Sequence, residues 1–370
     1  MNDLRKEDAV ILIPSLHPDG QLLLYVEDLI RHGFEKIVVI DDGSGPSYSE
    51  FFLELKQFPE CSVLGYPVNK GKGFALKHGM HYILQAFPDA PGVVTADSDG
   101  QHTAPDCLKT AQAMLEHPEK LVLGTRDFMQ ENVPAKNRTG NRLTSFFFLL
   151  LYGHWLPDTQ TGLRGMSREL MLRMMDIPGE RFEFEMNMLI HAAGWHIGFK
   201  LVPISTIYLQ ANAGTHFRPL QDSVRIYRLL FSNIFRFAYS SILSTMLDIG
   251  LFTMLDIWLI PRLFPVFAAG RNYSPVLAAT AVARVCSALF NYKVNRQFVF
   301  QVKHSKGSLF RYALLAIGAM LASATLVNVL NISLGMHRTL AKMIVDGSLF
   351  FINYRISKSW VFSSPEERKN

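Results

Sequence analysis

The stretch Gly92-Val93-Val94-Thr95-Ala96-Asp97-Ser98-Asp99-Gly100-Gln101-His102 joins an apolar run to a polar cluster. The run predicts a buried strand, and alternate side chains of an extended segment share a side, so Asp97 and Asp99 are expected to point together. Hard divalent cations prefer oxygen ligands, and Gln101 and His102 follow with further ligand atoms. Asp and Gly are also common in turns for conformational reasons alone. Taken by itself, the stretch fits a metal site and an ordinary strand-ending turn equally well.

Two apolar runs upstream also end in polar residues. The first, Ala9–Pro14, closes on a proline, and the second, Lys36–Ile40, closes on Asp41-Asp42-Gly43-Ser44. Helical spacing between such runs predicts alternating strands and helices, and hence a mostly parallel sheet with helices on both faces. Ligands bind beyond the carboxyl ends of the strands in such sheets, so these polar residues are expected to meet at one site. A simple turn is the alternative for Asp42-Gly43.

The loop Asn69-Lys70-Gly71-Lys72-Gly73 precedes a predicted helix over Phe74–Leu84. It has neither G-x-x-x-x-G-K-[ST] nor G-x-G-x-x-G spacing. Two lysines and two glycines before a helix still favour an anion site, because free N–H groups and the helix dipole attract negative charge. A solvated basic turn is the competing interpretation. Together with the strand-end acids, the loop predicts a nucleotide diphosphate held by a metal and by basic groups.

Basic residues mark the next part of the chain. A predicted strand ends at Arg126, and Arg138 and Arg142 precede the apolar run Ser145–Tyr152. That run is shorter than the roughly 20 residues that cross a bilayer. It is therefore either a core helix or a helix in the membrane interface. The segment Asp158–Gly165 that follows is predicted to be a polar loop.

Long apolar stretches dominate from about Phe231 onward. Residues 220–237 place apolar and basic side chains on two stripes at helical spacing, which predicts an amphipathic helix in the membrane interface. The alternative is a surface helix packed on the soluble domain. Four apolar segments of near-spanning length follow, at about 238–260, 274–292, 309–331 and 339–357.

Basic residues flank these segments unevenly. They concentrate after the second segment, with Lys293 and Arg296, and after the fourth, with Arg355 and Lys358. By the positive-inside rule, the soluble domain, both termini and the tail 363–370 are expected in the cytoplasm. The charged N-terminus predicts no signal peptide, and three scattered cysteines favour a reducing compartment. A net charge of +5 does not indicate nucleic-acid binding.

The apolar part contains an internal repeat. The segment Asn291–Phe300 matches Asn353–Phe362, and Phe235–Ala238 matches Phe310–Ala313. Two hairpins of the same orientation are therefore predicted.

Four charged residues lie inside the apolar segments, where charges are costly and are expected to face one another. Lys342 and Asp346 are one helical turn apart and can pair within a helix. Asp248 is expected to pair with Arg284. A polar path for a lipid headgroup is the functional alternative to structural ion pairs.

The order of the motifs resembles one known family over residues 8–225. The motifs are Ile40-Asp41-Asp42-Gly43-Ser44, Asn69–Gly73, Asp97–His102, Gly124-Thr125-Arg126, Asp158–Gly165, Phe184-Glu185 and His216-Phe217-Arg218. This pattern is similar to the family 2 glycosyltransferases that act on polyprenyl phosphates, the dolichyl-phosphate mannose synthase-like group. The duplicated apolar part resembles the GtrA-like four-helix membrane domain. Ser98 and Thr215 depart from the family's more frequent Ala and Ser, and neither change removes a ligand.

The resemblance implies an α/β GT-A domain, Rossmann-like with a mostly parallel sheet, over residues 1–219. An interface helix over 220–237 and an all-α domain of four transmembrane helices over 238–362 would follow. The resemblance also implies a divalent metal, Mg²⁺ or Mn²⁺. The implied metal ligands are Asp97, Asp99 and Gln101. The implied nucleotide-sugar site consists of Pro14, Asp41, Asp42, Lys72 and Asp97. The implied lipid-phosphate site consists of Arg126, Arg138 and Arg142, and the catalytic set of Asp97, Asp99, Arg126 and, as an orienting group, Asp158.

The expected activity is inverting transfer of one sugar from a UDP- or GDP-sugar to a polyprenyl phosphate such as undecaprenyl or dolichyl phosphate. The expected location is the plasma (inner) membrane, and a homo-oligomer is left open. Two alternatives remain. One is a lipid-linked sugar flippase with a non-catalytic soluble domain, against which the intact Asp97-Ser98-Asp99 argues. The other is a processive polysaccharide synthase, although no Gln-x-x-Arg-Trp sequence occurs in the chain.

Overall fold

A computed structural model of the chain describes residues 8–130, 133, 135–205, 219–259, 262, 274–302 and 307–363. The chain divides into two compact units, Met1–Leu230 and Phe231–Asn370. The predicted motif His216-Phe217-Arg218 and residues 364–370 of the predicted tail lie outside the described residues.

The first unit is built on a seven-stranded sheet of order β3-β2-β1-β4-β6-β5-β7. The strands are β1 (Val10–Ser15), β2 (Ile37–Asp41), β3 (Cys61–Gly65), β4 (Gly92–Thr95), β5 (Leu121–Thr125), β6 (Arg164–Ser167) and β7 (Phe199–Pro203). Strands β1, β2, β3 and β4 run parallel, with Ser15 beside Asp41 and Leu12 beside Thr95. The carboxyl ends of β1, β2 and β4 therefore lie side by side, as the sequence predicts.

Helices cover both faces of this sheet. They are α1 (Gly20–Arg31), α2 (Ser49–Leu55), α3 (Lys72–Ala86), α4 (Ala104–Glu116), α5 (Ala135–Tyr152), α6 (Arg168–Met175) and α7 (Glu183–Gly194). Ile11 and Ile37 share a buried cluster with Leu29 of α1. Their neighbours Leu12 and Ile40 face Gly79 of α3 on the opposite side. Continuous apolar strands are therefore buried on both faces, which is typical of a parallel sheet.

One strand differs from the sequence prediction. The segment predicted to be a polar loop, Asp158–Gly165, ends inside β6 (Arg164–Ser167), which lies between β4 and β5 and runs antiparallel to both. The sequence Arg-Gly-Met-Ser contains no β-branched residue and no apolar alternation. Its strand conformation comes from pairing with two neighbours, because strand preference depends strongly on tertiary context.

The second unit contains four helices among its described residues. They are α8 (Pro219–Thr253, which begins in the first unit), α9 (Ser274–Val294), α10 (Ser308–Leu334) and α11 (Arg338–Ile356). The predicted interface helix and first spanning segment lie in one helix, because α8 continues through a π-helical turn, Met254–Leu259. Two helices, Ser223–Leu259 and Ser308–Leu334, are long and apolar enough to cross a membrane. The other two fall short of that test within the described residues.

The internal repeat is visible in the helices. Both copies of the repeated segment end in a π-helical turn, Asn295–Val299 in the first and Ser357–Val361 in the second. The predicted charge pairs are also confirmed, with Asp248 and Arg284 3.4 Å apart and Asp346 and Lys342 2.9 Å apart.

Candidate active site

A cleft of about 580 Å³ opens at the carboxyl ends of β1, β2 and β4. Five of the predicted site residues line it: Pro14, Asp42, Lys72, Asp97 and Asp99. The remaining predicted site residues are outside the lining: Asp41, Gln101, Arg126, Arg138, Arg142 and Asp158. The cleft is also lined by Arg181 and Phe182, just before α7. The residues predicted to bind the metal and the nucleotide therefore lie around one cleft, as the sequence predicts. Asp41 and Gln101 are the exceptions, because neither lines the cleft.

Lys72 joins two carboxylates at the centre of this cleft. Its Nζ lies 2.5 Å from Asp97 Oδ1 and 2.9 Å from Glu185 Oε1. Burial acts to raise the pKa of Asp97, but the charge of Lys72 and the hydrogen bond that Lys72 donates outweigh it and hold that pKa below its ordinary value. Burial acts to lower the pKa of Lys72, and the two carboxylates reverse this and raise it. Asp97 and Lys72 are therefore both charged at neutral pH.

Asp99 lies in a different electrostatic environment. Burial and the negative charge of Asp97 raise its pKa to about 6. Its Oδ1 accepts a 3.1 Å hydrogen bond from the backbone N–H of Gln101. Two neighbouring carboxylates, one of them destabilised by the other's charge, suit a divalent cation. The described residues contain no cluster of three or more acidic, His or Cys ligands. A cation here would take its remaining ligands from phosphate oxygens and water.

His102, three residues after Asp99, contacts the backbone of Asp97. His102 is buried, and its Nδ1 accepts a 3.1 Å hydrogen bond from the backbone N–H of Asp97. Burial is the main cause that lowers the pKa of His102 to about 4. The ring is therefore neutral, and the Nδ1 lone pair is already engaged with the backbone. The side chain of Gln101 as a metal ligand stays a prediction.

Asp42 orders the basic loop. Its carboxylate accepts hydrogen bonds from the Tyr66 hydroxyl at 2.7 Å, from the Lys70 N–H at 2.9 Å and from the Gly71 N–H at 3.0 Å. Gly71 has φ = +105°, and a Cβ there would lie 2.6 Å from the Glu180 carbonyl oxygen. A glycine is thus required where the loop enters α3, and the loop presents Lys72 to Asp97. Asp41, by contrast, accepts from the Ser44 N–H at 2.8 Å.

Arg126 is fixed by Asp158. The guanidinium donates from Nε to Oδ2 at 2.7 Å and from Nη2 to Oδ1 at 3.2 Å. Asp158 is fully buried, whereas the side chain of Arg126 is 18% exposed. The pair is bidentate, which is the geometry that Arg and carboxylate prefer. Asp158 therefore holds the guanidinium group of Arg126 in place.

The two other predicted phosphate-binding arginines lie on α5. Arg138 donates from Nη2 to the Gln130 carbonyl oxygen at 3.0 Å, and its buried Nε has no hydrogen-bond partner among the described residues. Arg142 is exposed and follows one turn later. Residues four apart lie on the same helix face, so α5 presents two cations on one face.

Sequence reasoning missed two residues of the site. Glu185 was recognised only as part of a motif, and its partner Lys72 lies more than a hundred positions away. Gly162 was placed in a loop without a role, yet a Cβ there would contact both carboxylate oxygens of Asp97. Motif membership was the signal available for both residues, since their contacts depend on the sheet topology.

Comparison with family models gives two matches in order along the chain. The model for glycosyl transferase family 2 matches residues 11–173, and the model for the GtrA/DPMS transmembrane domain matches residues 236–362. The first match runs from β1 into α6 and includes all the residues that line the cleft except Arg181 and Phe182, and the second covers the duplicated helices.

Individual proteins are similar to the chain at low identity. An uncharacterized protein of Methanocaldococcus jannaschii is 27% identical over 239 residues, covering 64% of this chain and 96% of its own. A UDP-N-acetylglucosamine–dolichyl-phosphate N-acetylglucosaminyltransferase of Methanococcus voltae is 26% identical, covering 60% of this chain and 94% of its own. Glucosyl-3-phosphoglycerate synthase from Mycobacterium tuberculosis, solved with Mn²⁺, UDP and phosphoglyceric acid, has a TM-score of 0.46 at 16% identity, covering 60% of this chain and 75% of its own.

The sheet order, the cleft at the strand ends and the two family matches agree with one another. The chain therefore joins a family 2 glycosyltransferase domain with the GT-A fold to a GtrA/DPMS transmembrane domain.

Proposed function

We propose that this membrane protein transfers one sugar from a nucleotide-sugar to a polyprenyl phosphate, with inversion at the anomeric carbon and with a divalent metal. The observation that carries the proposal is the cleft that gathers Asp97, Asp99 and Lys72 at the carboxyl ends of neighbouring strands. Sites at this edge of an α/β sheet bind ligands. The Methanococcus relative, whose name states a UDP-sugar donor and a dolichyl-phosphate acceptor, supports the same reaction class.

The donor site is supported by the loop that Asp42 holds in place. Lys72 is the first residue of α3, so its ammonium group and the N-terminal N–H groups of the helix together favour an anion. The strand-end residue Pro14 lines the same cleft. A nucleoside diphosphate would place its phosphates by Lys72 and α3, with its nucleoside towards β1 and β2.

The electrostatic environment of Asp99 supports a bound metal, because burial and the negative charge of Asp97 both disfavour its carboxylate form. Asp99 and Asp97 would hold Mg²⁺ or Mn²⁺, and Gln101 is a further candidate ligand. When bound, such an ion stabilises the departing nucleoside diphosphate. The link from Lys72 to Glu185 keeps the lysine close to Asp97, and Gly162 leaves room for that carboxylate to sit where it does.

The acceptor site is supported by the arginines. Asp158 fixes Arg126, and Arg138 and Arg142 share a face of α5. A phosphate monoester has a second pKa of about 6, so the acceptor is largely dianionic at neutral pH. Such a nucleophile needs positioning and charge neutralisation more than it needs a general base. Three cations suit that requirement.

The membrane arrangement is supported by apolar length and basic residues. We propose that α8 to α11 all cross the bilayer and that the catalytic domain faces the cytoplasm of the plasma (inner) membrane. Basic residues that follow α9 and α11 support this orientation under the positive-inside rule. Nucleotide-sugars would then reach the cleft from the cytoplasm.

The experiment is a transfer assay with the full chain in detergent. Polyprenyl phosphate is offered together with a panel of UDP- and GDP-sugars, with Mg²⁺, with Mn²⁺ or with EDTA. Transfer from one donor that is lost in EDTA and restored by added metal is expected. Absence of transfer from every donor, in protein with an intact thermal transition, would contradict the proposal and favour a transport role.

A further inference from the structure

Arg164, the first residue of β6, is a buried cation to which the proposed site assigns no role. Its side chain is 1% exposed and is among the largest fully buried side chains. Among the described residues it forms no ion pair, and its Nη2 has no hydrogen-bond partner there. Burial acts to lower the pKa of Arg164 below its ordinary value, but a guanidinium group stays protonated at neutral pH. A buried charge of this kind is costly, so an apolar side chain of similar volume would serve better if Arg164 only filled space.

The guanidinium group of Arg164 joins two segments of the site. Its Nε donates to the Thr161 carbonyl oxygen at 3.0 Å, and its Nη1 donates to the Glu185 carbonyl oxygen at 2.6 Å. Thr161 belongs to the loop between α5 and β6, whereas Glu185 lies in the first turn of α7. A guanidinium group is planar and holds its donors in a fixed fork. The two carbonyl groups are therefore held at a fixed distance and direction from each other.

Each of these two segments contacts one charged group of the cleft. Gly162 directly follows Thr161, and its backbone lies against Asp97, since an added Cβ would be 2.7 Å from the carboxylate carbon. The side chain of Glu185 lies 2.9 Å from Lys72 Nζ. Lys72 Nζ in turn lies 2.5 Å from Asp97 Oδ1. One buried arginine thus fixes the neighbours of both members of the Lys72–Asp97 pair.

The negative charges that act on Arg164 are those of the site. They belong to Glu185, Asp158 and Asp97. Glu185 and Asp97 both lie against Lys72, so these two carboxylates also repel each other. The positive charge of Arg164 attracts both carboxylates and therefore opposes their repulsion.

We propose that Arg164 is a positioning residue that holds Lys72 and Asp97 in the geometry that binds the diphosphate of the donor. It acts through the backbone of Thr161 and Glu185, because its own side chain is buried and does not line the cleft. The inference deepens the proposed function and rests on its donor site. A change that spoils the fork is expected to weaken nucleotide binding, although every group that lines the cleft is kept.

The test measures the dissociation constant (Kd) of UDP and of GDP, each with Mg²⁺, by calorimetric titration of the full chain in detergent. Arg164→Lys keeps the charge and replaces the fork by one ammonium group, which cannot donate to both carbonyl oxygens in the same directions. The nucleotide that the wild type binds is expected to bind about tenfold more weakly, as when one charge-assisted hydrogen bond is misplaced. Loss of folded protein would lower the number of binding sites per chain and leave Kd unchanged. The Kd therefore separates positioning from folding.

Arg168→Lys is the matched control. Arg168 also donates to two backbone carbonyl oxygens, that of Phe87 at 3.4 Å and that of Leu84 at 3.1 Å. It does not line the cleft. The same chemical change at this position is expected to leave the Kd of the nucleotide at its wild-type value.

Glu185→Asp tests the same connection from its other end. It keeps the carboxylate charge and the carbonyl oxygen that Arg164 binds, but it draws the carboxylate away from Lys72. It is expected to weaken nucleotide binding about tenfold as well, and it stays informative if Arg164→Lys does not fold. The double variant is expected to bind only slightly more weakly than either single variant, because both changes displace Lys72.

The outcomes are distinct. A wild-type Kd in Arg164→Lys overturns the inference, and so does a wild-type Kd in Glu185→Asp if Arg164→Lys does not fold. An equal rise of Kd in Arg168→Lys also overturns it. A double variant whose loss of affinity equals the product of the two single losses overturns the action through Glu185.

Two further outcomes separate the inference from the proposed function. If the wild type binds neither nucleotide, the proposed donor site fails and the inference fails with it. Sugar transfer to polyprenyl phosphate is measured on the same preparations. If the nucleotide binds and the variants behave as expected while no sugar is transferred, the proposed function fails and the positioning role of Arg164 is confirmed.

Discussion

A methyl group on Gly162 would be built directly against the carboxylate of Asp97. The added Cβ would lie 2.6 Å from Oδ1 and 2.7 Å from Cγ, whereas ordinary van der Waals contact begins at 3.4 Å. The loop is held in place, because the Gly162 carbonyl oxygen accepts a 2.8 Å hydrogen bond from the hydroxyl of buried Thr95. Oδ2 is closer still, so the carboxylate must retreat by at least about 0.8 Å, the difference between 3.4 Å and the 2.6 Å contact with Oδ1.

A displacement of nearly 1 Å in a group that positions reactants costs on the order of 100-fold in rate. That factor corresponds to about 2.7 kcal/mol of activation free energy. The free energy of unfolding is expected to fall by only about 1–3 kcal/mol, the usual cost of overpacking. Gly162 does not have a positive φ, so alanine adds no backbone strain. Gly162→Ala is therefore expected to remain folded and to lose most of its transfer activity.

The assay compares initial transfer rates at saturating donor and acceptor, and checks folding by the thermal transition. Gly194→Ala is the matched control, because a Cβ there meets open space at the end of α7. A wild-type rate in Gly162→Ala would refute the reasoning, since it would mean that the position of Asp97 does not matter for transfer. Slow transfer by Gly194→Ala would show that a glycine-to-alanine change lowers the rate even where the added Cβ meets open space.

Three further predictions concern other parts of the first unit. Asp99→Asn removes one of two carboxylates and is expected to raise the Mg²⁺ concentration for half-maximal transfer more than about tenfold. Tyr66→Phe removes the 2.7 Å hydrogen bond to Asp42 and is expected to lower the free energy of unfolding by about 1.5 kcal/mol. Burial raises the pKa of Cys61 and of Cys107 to about 12, so both thiols stay protonated at pH 8. Iodoacetamide is therefore expected to alkylate them slowly in the native protein and rapidly in urea, as read by mass spectrometry, with the native rate still rising above pH 9.

Each of these predictions can fail. An unchanged metal requirement in Asp99→Asn would remove that residue from the metal site. A Tyr66→Phe protein with wild-type unfolding in urea would mean that the hydrogen bond from Tyr66 to Asp42 does not stabilise the fold. Fast native alkylation of either cysteine at pH 8, or a rate that levels off near pH 9, would contradict the burial of that thiol.

The parallel half of the sheet could be predicted because its signals are local. The strand with Asp97 at its end and the strand that closes on Asp42 are short apolar runs with polar ends, and parallel strands bring such ends to one edge. The convergence of these two residues with Lys72 followed from topology alone. The role of Asp42 in ordering the loop did not, because it depends on where Tyr66 and the backbone of the loop lie.

The antiparallel strand β6 and the partners of Lys72 could not be predicted. β6 is made by pairing on both sides, and its own sequence carries no strand pattern. The contact between Lys72 and Glu185 joins α3 to α7, and the fit of Gly162 against Asp97 joins a loop to β4's end. Contacts of this kind follow from the assembled sheet and have no local signature.

The most direct test of the central claim is the identity of the lipid product after a single round of transfer. We predict that mass spectrometry finds polyprenyl phosphate heavier by one sugar residue, and that NMR finds the anomeric configuration opposite to that of the donor. A product that carries several sugars, a retained configuration or sugar found only as the free monosaccharide would contradict the account.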